Sequence, residues 1–218
     1  MAWQAVPGRG FPSDTDPRYI ANVKMINKFF NKRKWTLQAQ AGMLGNFAHE
    51  GGMNPWSWEN VTVDMSRGYG LYQRTPASAY IDDPRCKALP NYGPNTSVTE
   101  VVEGAKPEDG DAQLVAFVNK WMGWEEPSGC WRTYWDEEQY ADLLVLRQQV
   151  LDKYGTDGKL SMEQFAKIKE IDLATFAYLA AFEGPLKPNY LTRYLSALKI
   201  YPMLSKPMPV YMMCGRKF

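Results

Sequence analysis

The sequence has little histidine and little cysteine, and this scarcity excludes several kinds of catalytic site. It contains one histidine, His49, and three widely separated cysteines, Cys86, Cys130 and Cys214. A zinc protease with an H-E-x-x-H motif needs a second histidine where Met53 stands. Cysteines without a C-x-x-C pair indicate neither a zinc ribbon nor a disulfide framework. We therefore expect no metal in the functional site.

Phosphate-binding and calcium-binding motifs are also missing. The sequence contains neither a G-x-x-x-x-G-K-[ST] loop nor a G-x-G-x-x-G loop, which excludes the common nucleotide sites. One segment with Gly158 at its turn is similar to a calcium loop, but Lys153 and Gln164 stand where carboxylates are needed. We expect no cofactor.

The chain lacks an excess of charge and a long apolar run. Its 25 basic and 24 acidic residues give a formal net charge of +1, so no overall attraction to nucleic acid or anionic lipid is expected. The longest nearly apolar run, 173–182, is about half of the roughly 20 residues that a membrane helix needs. It predicts a buried core helix. The Pro- and Gly-rich N-terminal residues do not have the layout of a signal peptide.

Helical periodicity dominates the remaining pattern. Apolar residues between 17 and 33 recur at three- and four-residue spacing, and Asp16 is a plausible start for this helix. Thr36 is a predicted N-cap for a second helix, which would end at Gly51 and place Glu50 in its last turn. Ser161 and Gln164 have the spacing of a capping box. Further helices are predicted near 111–122, 136–154, 161–170, 172–183 and 189–204.

Short β-prone pieces between 54 and 73 predict a small hairpin. The fold prediction is therefore mainly α with a small β-hairpin. We expect one domain over 17–204, preceded by an N-terminal extension over 1–16 and followed by a C-terminal tail over 205–218.

Carboxylate chemistry remains after these exclusions, and Glu50 is its first candidate. A glycosidase needs a proton-donating carboxylic acid and a second group that stabilises the oxocarbenium-like centre. At the C-terminal end of a helix the macrodipole favours a neutral carboxyl group by about 0.3–1 kcal/mol. Nearby Trp56 and Trp58 are candidates for the apolar walls of such a pocket. The sequence is rich in Trp and Tyr, whose rings suit sugar binding, although aromatic rings more often fill a core.

Residues 41–80 resemble the catalytic core of the phage tail lysozyme family. The matching residues are Gly42, Leu44, Gly45, Asn46, Glu50, Asn54, Pro55, Gly68, Tyr69, Gly70, Leu71, Gln73 and Thr75. Residues 172–204 are similar to the family's closing helices, which carry a T-x-x-[FY]-x-x-x-[YF]E-x-P element followed by R-x-x-x-A.

The resemblance implies a lysozyme-like α+β fold and cleavage of the β-1,4 bond between N-acetylmuramic acid and N-acetylglucosamine, with Glu50 as the catalytic acid. It implies peptidoglycan glycan strands as substrate, phage tail proteins as further partners, and a location in the virion tail or, after release, the host cell wall. Two alternatives stay open. A lytic transglycosylase would use the same glutamate, and a glycan-binding tail module would have lost catalysis.

The second catalytic group is predicted from the loop before the GYG segment. Asp64 and Glu59 are its candidates, and Asp64 is preferred because it directly precedes the expected hairpin. Thr75 is a candidate for holding a water molecule. The predicted substrate-binding residues are Tyr69, Gln73, Thr75, Trp56, Trp58 and Asn54.

Three positions depart from the family pattern. Gly51 replaces the usual serine after the glutamate, which removes a hydroxyl beside the acid. Arg74 stands where a tryptophan is usual, and Gly184 stands where an arginine is common. These departures affect the expected substrate preference and leave the proton donor in place.

Overall fold

A computed structural model of the chain describes residues 2–6, 12–59, 64–73, 75–78, 109–118, 140–183, 185 and 187–205. The α-helices within these residues are α1 (Pro17–Asn31), α2 (Leu37–Glu50), α3 (Asp109–Ala116), α4 (Ala141–Tyr154), α5 (Met162–Phe165), α6 (Ile171–Tyr178) and α7 (Tyr190–Ser205). A π-helical turn, Leu179–Glu183, continues α6. The mainly helical prediction is confirmed. None of the described helices combines the length and apolarity needed to cross a bilayer.

Side-chain caps fix the starts of three helices. The Asp16 carboxylate accepts a backbone N–H of the first turn of α1 at 2.8 Å, and the Thr36 hydroxyl accepts one of α2 at 3.0 Å. Ser161 and Gln164 form both hydrogen bonds of a capping box at the start of α5. Each bond satisfies a backbone donor that has no partner inside its helix. The three predicted helix starts are confirmed.

The central helix is α2, which is buried on all sides between Ala39 and Ala48. It packs mainly on α6 and α7. A Cβ atom on Gly42 would lie 2.6 Å from the backbone of Ala174 in α6, and one on Gly45 would lie 2.5 Å from the carbonyl oxygen of Arg193 in α7. Only glycine permits these approaches, so the two glycines set where the C-terminal end of α2 lies.

Aromatic rings fill much of the core around α2. The Phe47 ring lies 5.6 Å from Tyr72, 5.8 Å from Phe117 and 5.9 Å from Tyr178, measured between centroids. The apolar run predicted as a core helix forms α6 and its π-helical turn, and residues 173–180 are all buried. That prediction is confirmed.

The segment 2–6 packs against the helices. Trp3 is buried, and its indole occupies the space that a Cβ on Gly110 of α3 would need. The backbone N–H of Gln4 donates to the Asn22 side chain at 2.9 Å, and the Gln4 carbonyl accepts from the same amide at 2.7 Å. The segment is therefore held against α1 and α3.

The predicted β-hairpin is not seen in the described residues. Trp58 and Tyr69 form an isolated antiparallel bridge, and the backbone then turns because Gly70 and Gln73 have φ values of 85° and 49°. These left-handed conformations interrupt an extended strand. The β-prone residues 61–63 lie outside the described part of the chain.

Other predicted features also lie outside the described residues. They include Arg74, Gly184, the three cysteines, most of the predicted irregular region before α3, residues 136–139 and the tail beyond Ser205.

Candidate active site

Glu50 ends α2, and its carboxylate pairs with Arg193 of α7. Arg193 Nη2 lies 2.7 Å from Glu50 Oε1, and the two side chains are 9% and 24% exposed respectively. Arg193 Nη1 donates to Asn46 Oδ1 at 3.2 Å. Asn46 precedes Glu50 by four residues, so both lie on the same face of α2. One buried guanidinium therefore bridges two residues of this face.

Asn46 fixes the position of that guanidinium. Its side-chain amide donates to the Gly42 carbonyl at 2.8 Å and to the Thr175 carbonyl at 3.2 Å. The asparagine is fully buried, so these bonds link α2 to α6 in an environment that excludes water. Within the described residues, no hydrogen bond reaches Oε2 of Glu50.

His49 belongs to the same interface between α2 and α7. Its Nε2 atom lies 3.1 Å from the Ser196 hydroxyl oxygen. Burial lowers the pKa of His49 below 6.5, and the positive charge of Arg193 adds to this shift. The imidazole is therefore mainly neutral near pH 7. Among the described residues, no group of three or more His, Cys, Asp or Glu side chains is placed to hold a metal ion.

Tyr178 of α6 interacts electrostatically with the carboxylates of Glu183 and Glu50. Its burial raises its pKa well above the ordinary value, and the negative charges of Glu183 and Glu50 contribute to this shift. Glu183 is the last residue of the π-helical turn, and its Oε1 atom is shielded from solvent. π-Helical turns are frequent at functional sites. Glu183 is thus a second acid in the electrostatic environment of Tyr178.

The predicted sugar-binding tryptophans are buried in the core. Trp56 is 1% exposed, and its Nε1 donates to Asp109 Oδ2 at 2.8 Å. Trp58 is 0% exposed and packs on Tyr69, with 4.5 Å between ring centroids. In this structure the rings of Trp56, Trp58 and Tyr69 therefore contact protein atoms of the core.

The predicted polar residues mostly hold the turn around the Trp58–Tyr69 bridge. Asn54 accepts the backbone N–H of Trp56 and donates to the carbonyl of Val6, both at 3.0 Å. Gln73 donates to the carbonyls of Ser57 and Gly70 at 2.8 and 3.0 Å. Thr75 differs from them because it is exposed.

Gly51 brings this turn against the end of α2. A Cβ atom at position 51 would lie only 2.1 Å from the Gly70 carbonyl oxygen. A serine therefore does not fit this arrangement, which accounts for the departure from the family pattern at this position. The glycine directly follows Glu50, so the turn is in contact with the end of the candidate catalytic helix.

Asp64 and Glu59 both take part in the turn before Tyr69. The Asp64 carboxylate accepts from the backbone N–H and the hydroxyl of Ser66 at 2.9 and 2.6 Å, and these bonds lower its pKa. Glu59 accepts the Gly68 backbone N–H at 2.9 Å and lies 3.6 Å from an Arg67 nitrogen. Asp64 is solvent-accessible, whereas Glu59 is more enclosed.

Sequence reasoning did not identify Arg193 as a partner of Glu50, although Arg193 lies in the R-x-x-x-A element. The sequence did contain one indication that Arg193 has a buried partner. Arg193 and Ser196 are polar, yet they share a helical face with Ala197 and Ile200, and all four are buried. A polar residue on an apolar face indicates a specific buried partner, but it does not say which one.

Known proteins resemble this chain over most of its length. A family model described as phage tail lysozyme matches residues 21–204, a range that includes Glu50 and Arg193. Morphogenesis protein 1 of Bacillus phage B103 is 27% identical over 169 residues, a match that covers 77% of this chain and 35% of that protein. The chain thus spans about a third of the length of this curated relative.

Proposed function

Because the chain belongs to the phage tail lysozyme family, we propose that it hydrolyses the β-1,4 bond between N-acetylmuramic acid and N-acetylglucosamine of peptidoglycan. Glu50 is the proposed general acid. One observation carries this assignment: Glu50 is a partly exposed carboxylate fixed by a buried arginine at the end of the central helix. The resemblance to family motifs around Glu50 supports the same role.

The geometry suits a proton donor whose two oxygens have different tasks. Arg193 contacts Oε1, so the transferable proton is assigned to Oε2, which faces no described hydrogen-bond partner. Oε2 would protonate the glycosidic oxygen as the bond to the sugar breaks. The guanidinium would then stabilise the carboxylate left behind. Arg193 is thus a positioning residue that acts through Glu50.

Asp64 is the proposed second carboxylate. Its lowered pKa keeps it ionised near neutral pH, as a base or an oxocarbenium stabiliser requires, and its solvent access would permit contact with sugar or water. Glu59 and Glu183 are the alternatives. The distance from Glu50 to the second group decides the stereochemistry, because inverting enzymes need about 6.5–9.5 Å and retaining enzymes about 5–5.5 Å.

The proposed setting is a phage particle that degrades the cell wall locally. The relative from Bacillus phage B103 is named a morphogenesis protein, which favours a protein built into a virion. Peptidoglycan strands would be the substrate and phage tail proteins the assembly partners. The same activity, after release, would act in the host cell wall.

Mass spectrometry of fragments released from purified peptidoglycan tests the catalytic assignment. Wild type should release fragments with reducing muramic acid ends, and Glu50→Gln should release none. Asp152→Asn is a matched control, because Asp152 is an exposed residue of α4 and should keep full activity. Asp64→Asn, Glu59→Gln and Glu183→Gln in parallel would identify the second group.

The products also separate the alternatives. Anhydro-muramic ends that disappear in Glu50→Gln would assign the chain to lytic transglycosylases. If wild type releases nothing from several wall types but binds sacculi as well as Glu50→Gln does, a glycan-binding tail module replaces the enzyme.

A further inference from the structure

Positive charge is concentrated in the first two helices. Residues 17–49 contain six lysines and arginines and no Asp or Glu, although the whole chain has a formal net charge of only +1. The rest of the chain is therefore net acidic. Four of the six cations, Lys28, Lys32, Arg33 and Lys34, lie at or just beyond the end of α1. With Lys167, they form a surface that we call the basic ridge.

Two cavities lie on either side of this ridge. One has a volume of about 460 Å³, and its charged lining consists of Lys28, Lys32, Arg33 and Asp111. The other has a volume of about 400 Å³, and its charged lining consists of Arg33, Lys34, Lys167 and Glu163. Each cavity therefore has three cations and one acid, and Arg33 lines both.

Arg33 is held in place between the cavities. Its guanidinium carbon lies 3.6 Å from the centre of the Phe29 ring, and Nη1 donates to the Phe29 carbonyl at 3.2 Å. None of the five ridge cations forms an ion pair with a described residue. The ridge thus presents an excess of positive charge beside the rings of Phe29 and Trp35.

The ridge is separate from the candidate active site. Lys34 lies just before α2, whereas Glu50 is the last residue of α2. A helix of 14 residues is about 20 Å long at 1.5 Å per residue. The two surfaces are therefore at opposite ends of the same helix.

We propose that the basic ridge binds a phosphodiester polymer attached to the cell wall. Lysine and arginine side chains bind phosphate groups, and two adjoining cavities that each hold three of these side chains can take successive phosphates of a polyanion. The aromatic and apolar walls suit the sugar or polyol units between phosphates. Binding there would hold the enzyme at the wall and raise the local concentration of glycan at Glu50. The wall as the source of the polymer rests on the proposed function, whereas the polyanion site does not.

Sedimentation with purified sacculi tests this proposal. The full chain carrying Glu50→Gln is used so that the wall stays intact during binding, and sacculi are prepared with their phosphodiester polymers or after acid removal of them. Adding Lys28→Gln with Lys32→Gln should weaken binding to intact sacculi by about tenfold or more and leave binding to stripped sacculi unchanged. The affinity of the parent should fall with salt, with a slope that is smaller in the double variant.

Lys159→Gln with Lys199→Gln is the matched control, since it removes the same charge from exposed positions that line neither cavity. It should bind intact sacculi like the parent. Equal binding to intact and stripped sacculi, or equal losses in both double variants, would overturn the proposal. Ridge-dependent binding that is stronger to duplex DNA or to phosphatidylglycerol vesicles at the same salt would also overturn it, in favour of nucleic acid or membrane.

Catalytic turnover is measured in a separate assay from wall binding. On short soluble glycan fragments without phosphodiester polymer, the ridge double variant in a chain with Glu50 intact should retain wild-type turnover. Loss of wall binding with retained turnover supports the ridge as a separate site, whereas an inactive wild type would count against the proposed hydrolase and leave the binding result interpretable.

Discussion

Breaking the Glu50–Arg193 ion pair should destabilise the fold by an amount that depends on which partner is removed. Removing one partner of a buried pair generally costs about 3–5 kcal/mol, because the other charge stays in a poorly hydrated place. Arg193 is 9% exposed and Glu50 is 24% exposed. Glu50→Leu leaves the more deeply buried charge behind, so we expect a loss of about 3–5 kcal/mol.

Arg193→Met should be milder. The methionine fills much of the arginine's apolar volume, and the remaining carboxylate can reach water through the exposed quarter of its side chain. Asn46 loses one donor to its buried oxygen, which adds about 1 kcal/mol. We expect Arg193→Met to lower the free energy of unfolding by about 2–3 kcal/mol in total. The double variant should be less destabilised than the sum of the single variants by about 2 kcal/mol, because it leaves no lone charge.

Urea unfolding followed by circular dichroism measures all three free energies. Lys199→Met is a control, since the Lys199–Asp14 pair is 41% and 61% exposed and should contribute less than about 1 kcal/mol. The reasoning is refuted if Arg193→Met costs more than Glu50→Leu, or if the single effects add within about 0.5 kcal/mol.

Three further variants test other parts of the site. The pKa of His49 is lower in the folded chain than in the unfolded chain, so the unfolded chain binds a proton first as the pH falls. This histidine therefore contributes stability above about pH 6.5 that is lost as the pH falls toward its folded pKa. In urea unfolding, His49→Gln should lose less stability than wild type between about pH 7.5 and about pH 5.5. Gly51→Ser should destabilise by about 1–3 kcal/mol and lower kcat, because its Cβ would displace the Gly70 carbonyl; unchanged stability and turnover would argue against the close approach. Trp56→Phe should cost about 2–3 kcal/mol by removing a donor to buried Asp109, with faster hydrogen exchange in α3 as the local readout and unchanged exchange there as the contrary result.

The helices are predictable because their signals are local. Thr36 and Ser161 cap the turns that directly follow them, and the spacing of apolar residues in α1 is set by the geometry of one helix. The core role of 173–182 follows in the same way from apolarity and length. Such features need no knowledge of the rest of the chain.

The environment of Glu50 is less predictable because it is built from distant segments. Periodicity shows that Arg193 lies on an apolar face, but only the packing of α7 on α2 brings it to Glu50. Trp56 and Trp58 illustrate the same limit. Their ring faces suit a sugar or a core equally well, and contacts with Asp109 and Tyr69 decide for burial.

The burial of residues 39–48 of α2 has a consequence for synthesis on the ribosome. The helices that cover it come mostly from the second half of the chain, and Arg193 is added 143 residues after Glu50. At about 5–20 residues per second, α2 waits about 7–30 s for α7 to emerge. During that interval its apolar surface is available to chaperones and to other nascent chains, so α2 is the segment where misassembly should begin.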